Sequence, residues 1–323
     1  MEEQKNSIGH NQFRYKVHSK WGNLSPAQYP VNNCHEMVMD KTGLLYLLTD
    51  ETKNNILVYT KDGQMKKSWG NSYPGGHGLS ISEENGEQFL FITDTVRHQV
   101  IKTTLDGKEL LVLDYPKEIA AYTSAGEYKP TETTIASNGD IYVTDGYGHQ
   151  FVIRYDQQGN YMQHWGGKGD GADQFDCAHG IAIDDRDKAD TTLLITSRNH
   201  NMLKRFTMDG KHIGNIHLPG SFICRPVVKG ANVYGAVFRS EHNQHAGSGY
   251  ITVLDEHDQV ISTPGGTEPV YISGQLQPQK QAAGCPFIHP HDVCIDEDEN
   301  LYIPQWNSGK TYPLMLERIP SPQ

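Results

Sequence analysis

One arrangement of apolar and polar positions recurs along the chain. A short start strand is followed by an apolar strand closing on Thr-Asp or its equivalent. A third strand, a turn of Asp-Gly type and a fourth strand come next. The clearest copy runs His77-Gly78-Leu79-Ser80-Ile81, then FLFITD ending at Asp94, then QVIKTTLDG with its turn at Asp106-Gly107. Residues 35–70, 131–166, 179–210 and 291–305 align with it. Short alternating strands punctuated by Asp-Gly turns predict antiparallel units joined by hairpins.

The start positions His35, His77, Thr131, His179 and His291 lie 42, 54, 48 and 112 residues apart. The last gap has room for two units, so a less visible one is expected over about residues 225–265, where VYGAVF and YITVLD read as strands. Six units predict an all-β, six-bladed propeller with blades starting near 35, 77, 131, 179, 225 and 291. Residues 13–22, FRYKVHSKWG, match the fourth strands QMKKSWG and NYMQHWGG, and TYPLMLERI reads as a third strand. The N-terminal strand therefore closes the last blade. The expected layout is a flexible stretch 1–12, a single propeller over 13–319, and within it a long loop, 264–286, suited to a lid or rim.

Composition narrows the partners. The chain carries 28 basic and 39 acidic residues, a net charge of −11. With no basic cluster interleaved with aromatics, nucleic acid is not expected as a partner. The opening MEEQKNSIGHNQFRYK lacks the apolar core of a secretory signal, and no run of 18 apolar residues occurs. No membrane association is expected, and a cytoplasmic location is, unless a leader has been removed ahead of residue 1. Five cysteines without C-x-x-C spacing suggest neither a disulfide framework nor a thiolate zinc site, which fits a reducing compartment.

The start strand of each propeller blade lines the central channel, so one repeat position faces the axis in every blade. Histidine holds that position in blades 1, 2, 4 and 6. Blades 2, 4 and 6 are about 120° apart in a six-fold ring, which brings His77, His179 and His291 to one point. Three neutral imidazoles with an open position are a ligand set for catalytic zinc, and iron or copper also accept imidazole. His35 shares the register but breaks the alternation, and is expected as a pocket residue. His98, His149 and His200 follow second strands and are expected to anchor their turns.

GGHGLS with ITDTVRHQV, VTDGYGHQ, HWGGKGDGADQFDCAHGIAI with TSRNHN, and HPHDVCID resemble the lyase domain of peptidylglycine α-amidating enzymes, over about residues 30–310. The general strand-and-turn pattern is that of NHL repeats. The resemblance implies zinc on His77, His179 and His291, catalytic roles for Tyr147 and Arg198, and a structural calcium held by Asp292 with the main-chain oxygens of Met37 and Leu79. It implies cleavage of a carbinolamide C–N bond, turning an α-hydroxyglycine end into an amide and glyoxylate. The partner would then be a small molecule or a peptide end.

Three positions depart from the family. Its blade 1 arginine is replaced here by Thr49-Asp50, its methionine before P-H-D by His289, and its half-cystine after the tyrosine by Gly148. Asp50 and His289 are thus expected in the substrate pocket. Simple α-hydroxyglycine peptides are expected to be poor substrates unless His289 or Arg239 supplies the missing cation. A non-enzymatic propeller that binds a protein or ligand, and a propeller hydrolase or lactonase, are the alternative readings.

Overall fold

The computed structural model describes residues 7–240 and 248–320. Six of its antiparallel sheets stand around one channel as a six-bladed β-propeller. The inner strands are Cys34–Met39, Gly76–Glu84, Glu132–Ile135, Ala178–Asp184, Ser221–Lys229 and Cys294–Ile295. Blades 1 to 5 each run through four consecutive strands from the axis outwards. Blade 6 is closed by the start of the chain, because Phe13–His18 pairs with Leu314–Arg318.

Two boundaries differ from expectation. Ser7–His10, placed in the flexible stretch 1–12, forms a fifth strand of blade 6 through a hairpin with Phe13–His18. The His10 N–H donates to Ser262 Oγ at 2.8 Å, which ties this hairpin to blade 5. Residues 1–6 of that stretch lie outside the described residues. Blade 5 begins at Ser221, and its axial residue is Cys224, so the 112-residue gap divides unevenly. Residues 264–286 take up the difference. They carry a small hairpin, Tyr271–Ile272 with Gln275–Leu276, that lies against blade 5, where the Val260 N–H donates to the Tyr271 hydroxyl.

The turn chemistry also locks blade to blade. Gly107 sits at φ 88, in the left-handed region that a side chain disfavours, and lets the third strand of blade 2 fold back into the fourth. A Cβ there would lie 2.5 Å from the Trp69 ring of blade 1. Trp165 of blade 3 covers Gly210 of blade 4 in the same way, and Trp21, at the end of the last blade, covers Gly63 of blade 1. Each Trp-Gly fourth strand thus caps the Asp-Gly turn of the following blade, and Trp21 completes the ring.

The core lies between blades. One cluster joins Val38, Leu48 and Val58 of blade 1 to Leu79, Ile92 and Ile101 of blade 2. Another joins Tyr234 and Val253 of blade 5 to Val293 and Leu316 of blade 6 and to Phe13 and Tyr15. This packing holds the inner strands in register, so residues at equivalent positions form layers across the channel.

Candidate metal centre and adjoining cavity

The first layer holds His35, His77, Thr131, His179, Cys224 and His291, one residue from each blade. The imidazole centroids of His77, His179 and His291 stand 4.8, 5.0 and 5.1 Å apart. Each donates from Nδ1 to a main-chain carbonyl: His77 to Thr131 at 2.9 Å, His179 to Cys224 at 3.0 Å, and His291 to His35 at 3.1 Å. A carbonyl only accepts, so each Nδ1 carries the proton and each neutral Nε2 presents a lone pair. Burial holds all three well below the usual imidazole value. Next in effect come His35 for His77 and His291, and Arg198 for His179. The rings are therefore neutral at pH 7.

Tyr147 shows that these lone pairs lack partners. Its hydroxyl lies 3.2 Å from His77 Nε2 and 3.0 Å from His179 Nε2. One phenol has one proton for two acceptors, so at least one nitrogen is left without a hydrogen. Such a set of converging, fixed, neutral nitrogens fits a borderline transition ion. Other ligand atoms lie close by: those of His35, His77 and His291 fall within 4.8 Å of one another, as do those of His179, Cys224 and His291. Burial pushes the Cys224 thiol up to about 12, with Arg198 opposing, so it stays protonated and binds metal weakly. The buried Nδ1 of His35 has no hydrogen-bond partner among the described residues, which sets His35 apart from the backbone-anchored set.

The local fold presents Tyr147 at the mouth. The Asp145 carboxylate accepts N–H bonds from Lys129 and His149 at 2.7 and 2.6 Å and the Tyr122 hydroxyl at 2.6 Å, which fixes the D-G-Y-G turn. A Cβ on Gly148 would lie 2.2 Å from that carboxylate, so the turn needs glycine there. The Tyr147 ring is 39% exposed while its hydroxyl reaches down to the imidazoles. Burial pushes this phenol up to about 12, and Arg198 pulls it the other way.

Beside Tyr147 opens a cavity of about 330 Å³, lined also by Arg198, Phe238, Arg239, His289, His291, Trp306 and Asn307. Arg198, in a 3₁₀ turn Arg198–His200, donates to the Tyr147 hydroxyl at 3.3 Å and lies 4.7 Å over the Phe238 ring. Arg239 lies 5.1 Å over the same ring and 4.3 Å over Phe222. The Nε atoms of both guanidiniums are buried without a hydrogen-bond partner among the described residues. His289 adopts φ 49 and packs at 5.8 Å from Trp306.

Asp50 is not among the lining residues. Its carboxylate accepts from Asn32 Nδ2 and from the N–H and Nδ2 of Asn33 at 2.8–2.9 Å, and its nearest approach to the histidine layer is 3.9 Å from His35 Nε2. Burial acts upwards on it, but His35 and Asn33 together hold it at about 2. Asp50 therefore builds the blade 1 loop and stands behind His35. Of the turn histidines, His200 bonds Ser197 Oγ of its own turn at 2.8 Å, His98 Nδ1 donates at 2.7 Å to the Tyr128 carbonyl in the connection to blade 3, and His149 has a buried Nε2 without a hydrogen-bond partner among the described residues.

The chain is similar to amidating lyases. It is 34% identical over 86 residues to a probable peptidyl-alpha-hydroxyglycine alpha-amidating lyase of Caenorhabditis elegans, covering 27% of this chain and 24% of that one. It is 23% identical over 240 residues to the peptidylglycine alpha-amidating monooxygenase of Rattus norvegicus, covering 70% and 22%. With NHL repeat-containing protein 3 of Homo sapiens it shares 26% over 183 residues, covering 53% and 51%. The chain thus spans about a quarter of the length of the Caenorhabditis elegans and Rattus norvegicus relatives. No protein-family model matches it. A gluconolactonase from Xanthomonas campestris (TM-score 0.62, 14% identical, 98% of this chain and 92% of that one) and a streptogramin B lyase (0.59, 13%, 96% and 98%) share the fold.

The second layer, one residue along each inner strand, departs from the calcium site that the resemblance implied. It holds Glu36, Gly78, Glu132, Gly180, Arg225 and Asp292. The expected ligands Asp292, Leu79 and Met37 do converge, but on the Arg225 guanidinium. Asp292 accepts from Nε and Nη2 at 2.7 and 2.8 Å, the Leu79 carbonyl from Nη1 at 3.1 Å and the Met37 carbonyl from Nη2 at 3.3 Å. A calcium ion and this side chain cannot share the place, so the residues present do not fit the ion. Sequence reasoning missed Cys224 and Arg225 because blade 5 has no histidine to mark its register. The signal was FICRPVV, an apolar run with one charge at the second axial position.

Proposed function

We propose that the protein is a metal-dependent lyase that cleaves a C–N or C–O bond of a small hydroxylated substrate carrying an anionic group. The observation that carries this reading is the shortage of protons at Tyr147, where one phenol faces two acceptor nitrogens of a neutral, backbone-anchored histidine set. His77, His179 and His291 would hold the metal. Bound there, it would supply Lewis-acid polarisation of the substrate hydroxyl and a positive charge that acidifies the groups beside it.

The remaining roles fall to this chain's own side chains. Tyr147 would react as the phenolate, its own proton passed to solvent under the charge of the bound metal and of Arg198 beside its oxygen, and would take the proton of the carbinol O–H. As that oxygen's electrons form C=O, the C–N pair leaves with nitrogen, and the proton returns from Tyr147 to the leaving nitrogen. Arg239, stacked on the Phe222 and Phe238 rings, offers a fork for a substrate carboxylate. Phe238 and Trp306 provide an apolar wall and narrow the access of water.

The loss of a blade 1 arginine is thus offset from blade 5, and α-hydroxyglycine ends are reasonable substrates to assay first. A carboxylate-ligated metal site of the hydrolase type finds less support, because the channel carboxylates Glu36, Glu132 and Asp292 are engaged with Arg225. The test is to load the purified protein with Zn²⁺ and follow glyoxylate release from an α-hydroxyglycine peptide. Release that depends on both Zn²⁺ and Tyr147 supports the proposal. No release by protein that holds zinc at the three histidines, across C–N and C–O carbinol substrates, rejects it.

A further inference from the structure

We infer that Arg225 is a built-in cation: its guanidinium holds the oxygen cluster of the channel together in place of a divalent metal ion, and removing it opens a site for a hard ion such as calcium. Six oxygen atoms from four other blades face this one side chain. Besides the two Asp292 oxygens and the Met37 and Leu79 carbonyls, Glu36 Oε2 stands 3.3 Å and Glu132 Oε2 3.4 Å from Nη1. An all-oxygen shell of carboxylates and carbonyls is the coordination chemistry of calcium. Here it is organised by hydrogen bonds to a planar fork.

Blade 4 contributes by omission. A Cβ on Gly180 would lie 2.4 Å from Arg225 Cβ, so glycine at that position lets the arginine cross the axis. Every blade is therefore adapted to the side chain. The carboxylates are almost wholly buried, with Glu36 1%, Glu132 0% and Asp292 0% exposed. Removing the guanidinium would leave them facing one another without a counter-charge, which a buried acidic cluster tolerates poorly. Arg225 also separates the histidine layer from a cavity of about 1040 Å³ further along the inner strands, lined by Val38, Ser80, Thr133 and Val227. It serves as a floor to the metal centre as well as a clamp.

Calcium binding and melting temperature test this without recourse to turnover, so the outcome is independent of the lyase reading. For the wild-type protein, EGTA or about 1 mM Ca²⁺ is expected to leave the melting temperature unchanged and calorimetry to find no channel site. Arg225→Ala is expected to melt roughly 10 °C lower in calcium-free buffer. It should then take up about one equivalent of Ca²⁺ and regain most of the loss, with Na⁺ at equal ionic strength regaining none. Arg225→Lys keeps a cation and is expected to stay indifferent to calcium. The inference is overturned by a wild-type calcium site that Asp292→Asn abolishes, or by a folded Arg225→Ala protein that binds none. Should Arg225→Ala not fold, the wild-type titration with and without Asp292→Asn decides alone.

Discussion

Replacing Tyr147 by Phe removes one oxygen and separates chemistry from packing. The hydroxyl contacts His179 Nε2 at 3.0 Å, His77 Nε2 at 3.2 Å and Arg198 at 3.3 Å. The ring makes its own contacts, at 5.1 and 5.6 Å to the two imidazoles and 5.5 Å to the Arg198 guanidinium, and these survive. A lost neutral hydrogen bond costs about 1 kcal/mol, which for a chain of this size lowers the melting temperature by roughly 2–4 °C. A lost general base costs about two to four powers of ten in turnover, or about 3–5 kcal/mol of barrier. The two roles differ at least threefold in energy and act on different observables. The assay measures kcat and kcat/KM by glyoxylate release, zinc by mass spectrometry and melting by calorimetry on the same sample. The expected variant holds its zinc, melts within a few degrees of the wild type and turns over at least a hundredfold more slowly. Unchanged turnover in a folded, zinc-loaded variant would refute the assignment of Tyr147 as the base.

Other expectations follow from the same geometry. His77→Ala, His179→Ala and His291→Ala should each strip the bound transition ion, whereas His35→Ala should retain most of it; the reverse pattern in metal analysis would move the site towards blade 1. Arg239→Ala should raise KM for a carboxylate-bearing substrate about 10- to 100-fold with a smaller change in kcat, as for a hydrogen bond to a charged group. Asp50→Asn, whose carboxylate is held within the blade 1 loop by Asn32 and Asn33 and does not line the cavity, should leave KM unchanged. On the far side of the fold, Asp184 accepts from Arg186 and Arg205, whose pull outweighs the upward push of burial and holds the carboxyl at about 2. A depressed carboxyl stabilises above its unfolded value near 4 and loses that contribution as pH falls towards 2. Asp184→Asn should therefore cost about 2 kcal/mol at pH 7 in denaturant titrations. The gap should narrow below pH 4, and a constant one would show that packing, not charge, is at stake.

The parts of this molecule that could be read along the chain are those where repetition and chemistry coincide. His77, His179 and His291 each combine an axial register with a residue type that binds metal, so periodicity alone brought them to one point. Tyr147 and Arg198 are single occurrences with no partner in other blades, and only the resemblance to amidating lyases singled them out; their meeting at 3.3 Å depends on how two turns fold. Asp50 was misplaced for a related reason. Its position in the repeat is correct, but Asn32 and Asn33 turn the carboxylate into the loop, and side-chain direction after a strand end has no period to follow. Blade 5 shows the opposite failure. Its strands were visible, yet without an axial histidine its register slipped by one residue, enough to hide that Cys224 belongs to the histidine layer and Arg225 to the layer of carboxylates. The inner strands are bulged at this place, so two successive residues reach the axis in adjacent layers, and a slip of one position moves a residue from the histidine layer to the layer of carboxylates. An arginine flanked by apolar residues in a start strand has no solvent to reach and must find its counter-charge across the axis. On that ground the acidic residues at the same position in other blades, Glu36, Glu132 and Asp292, become its expected partners before any distance is measured.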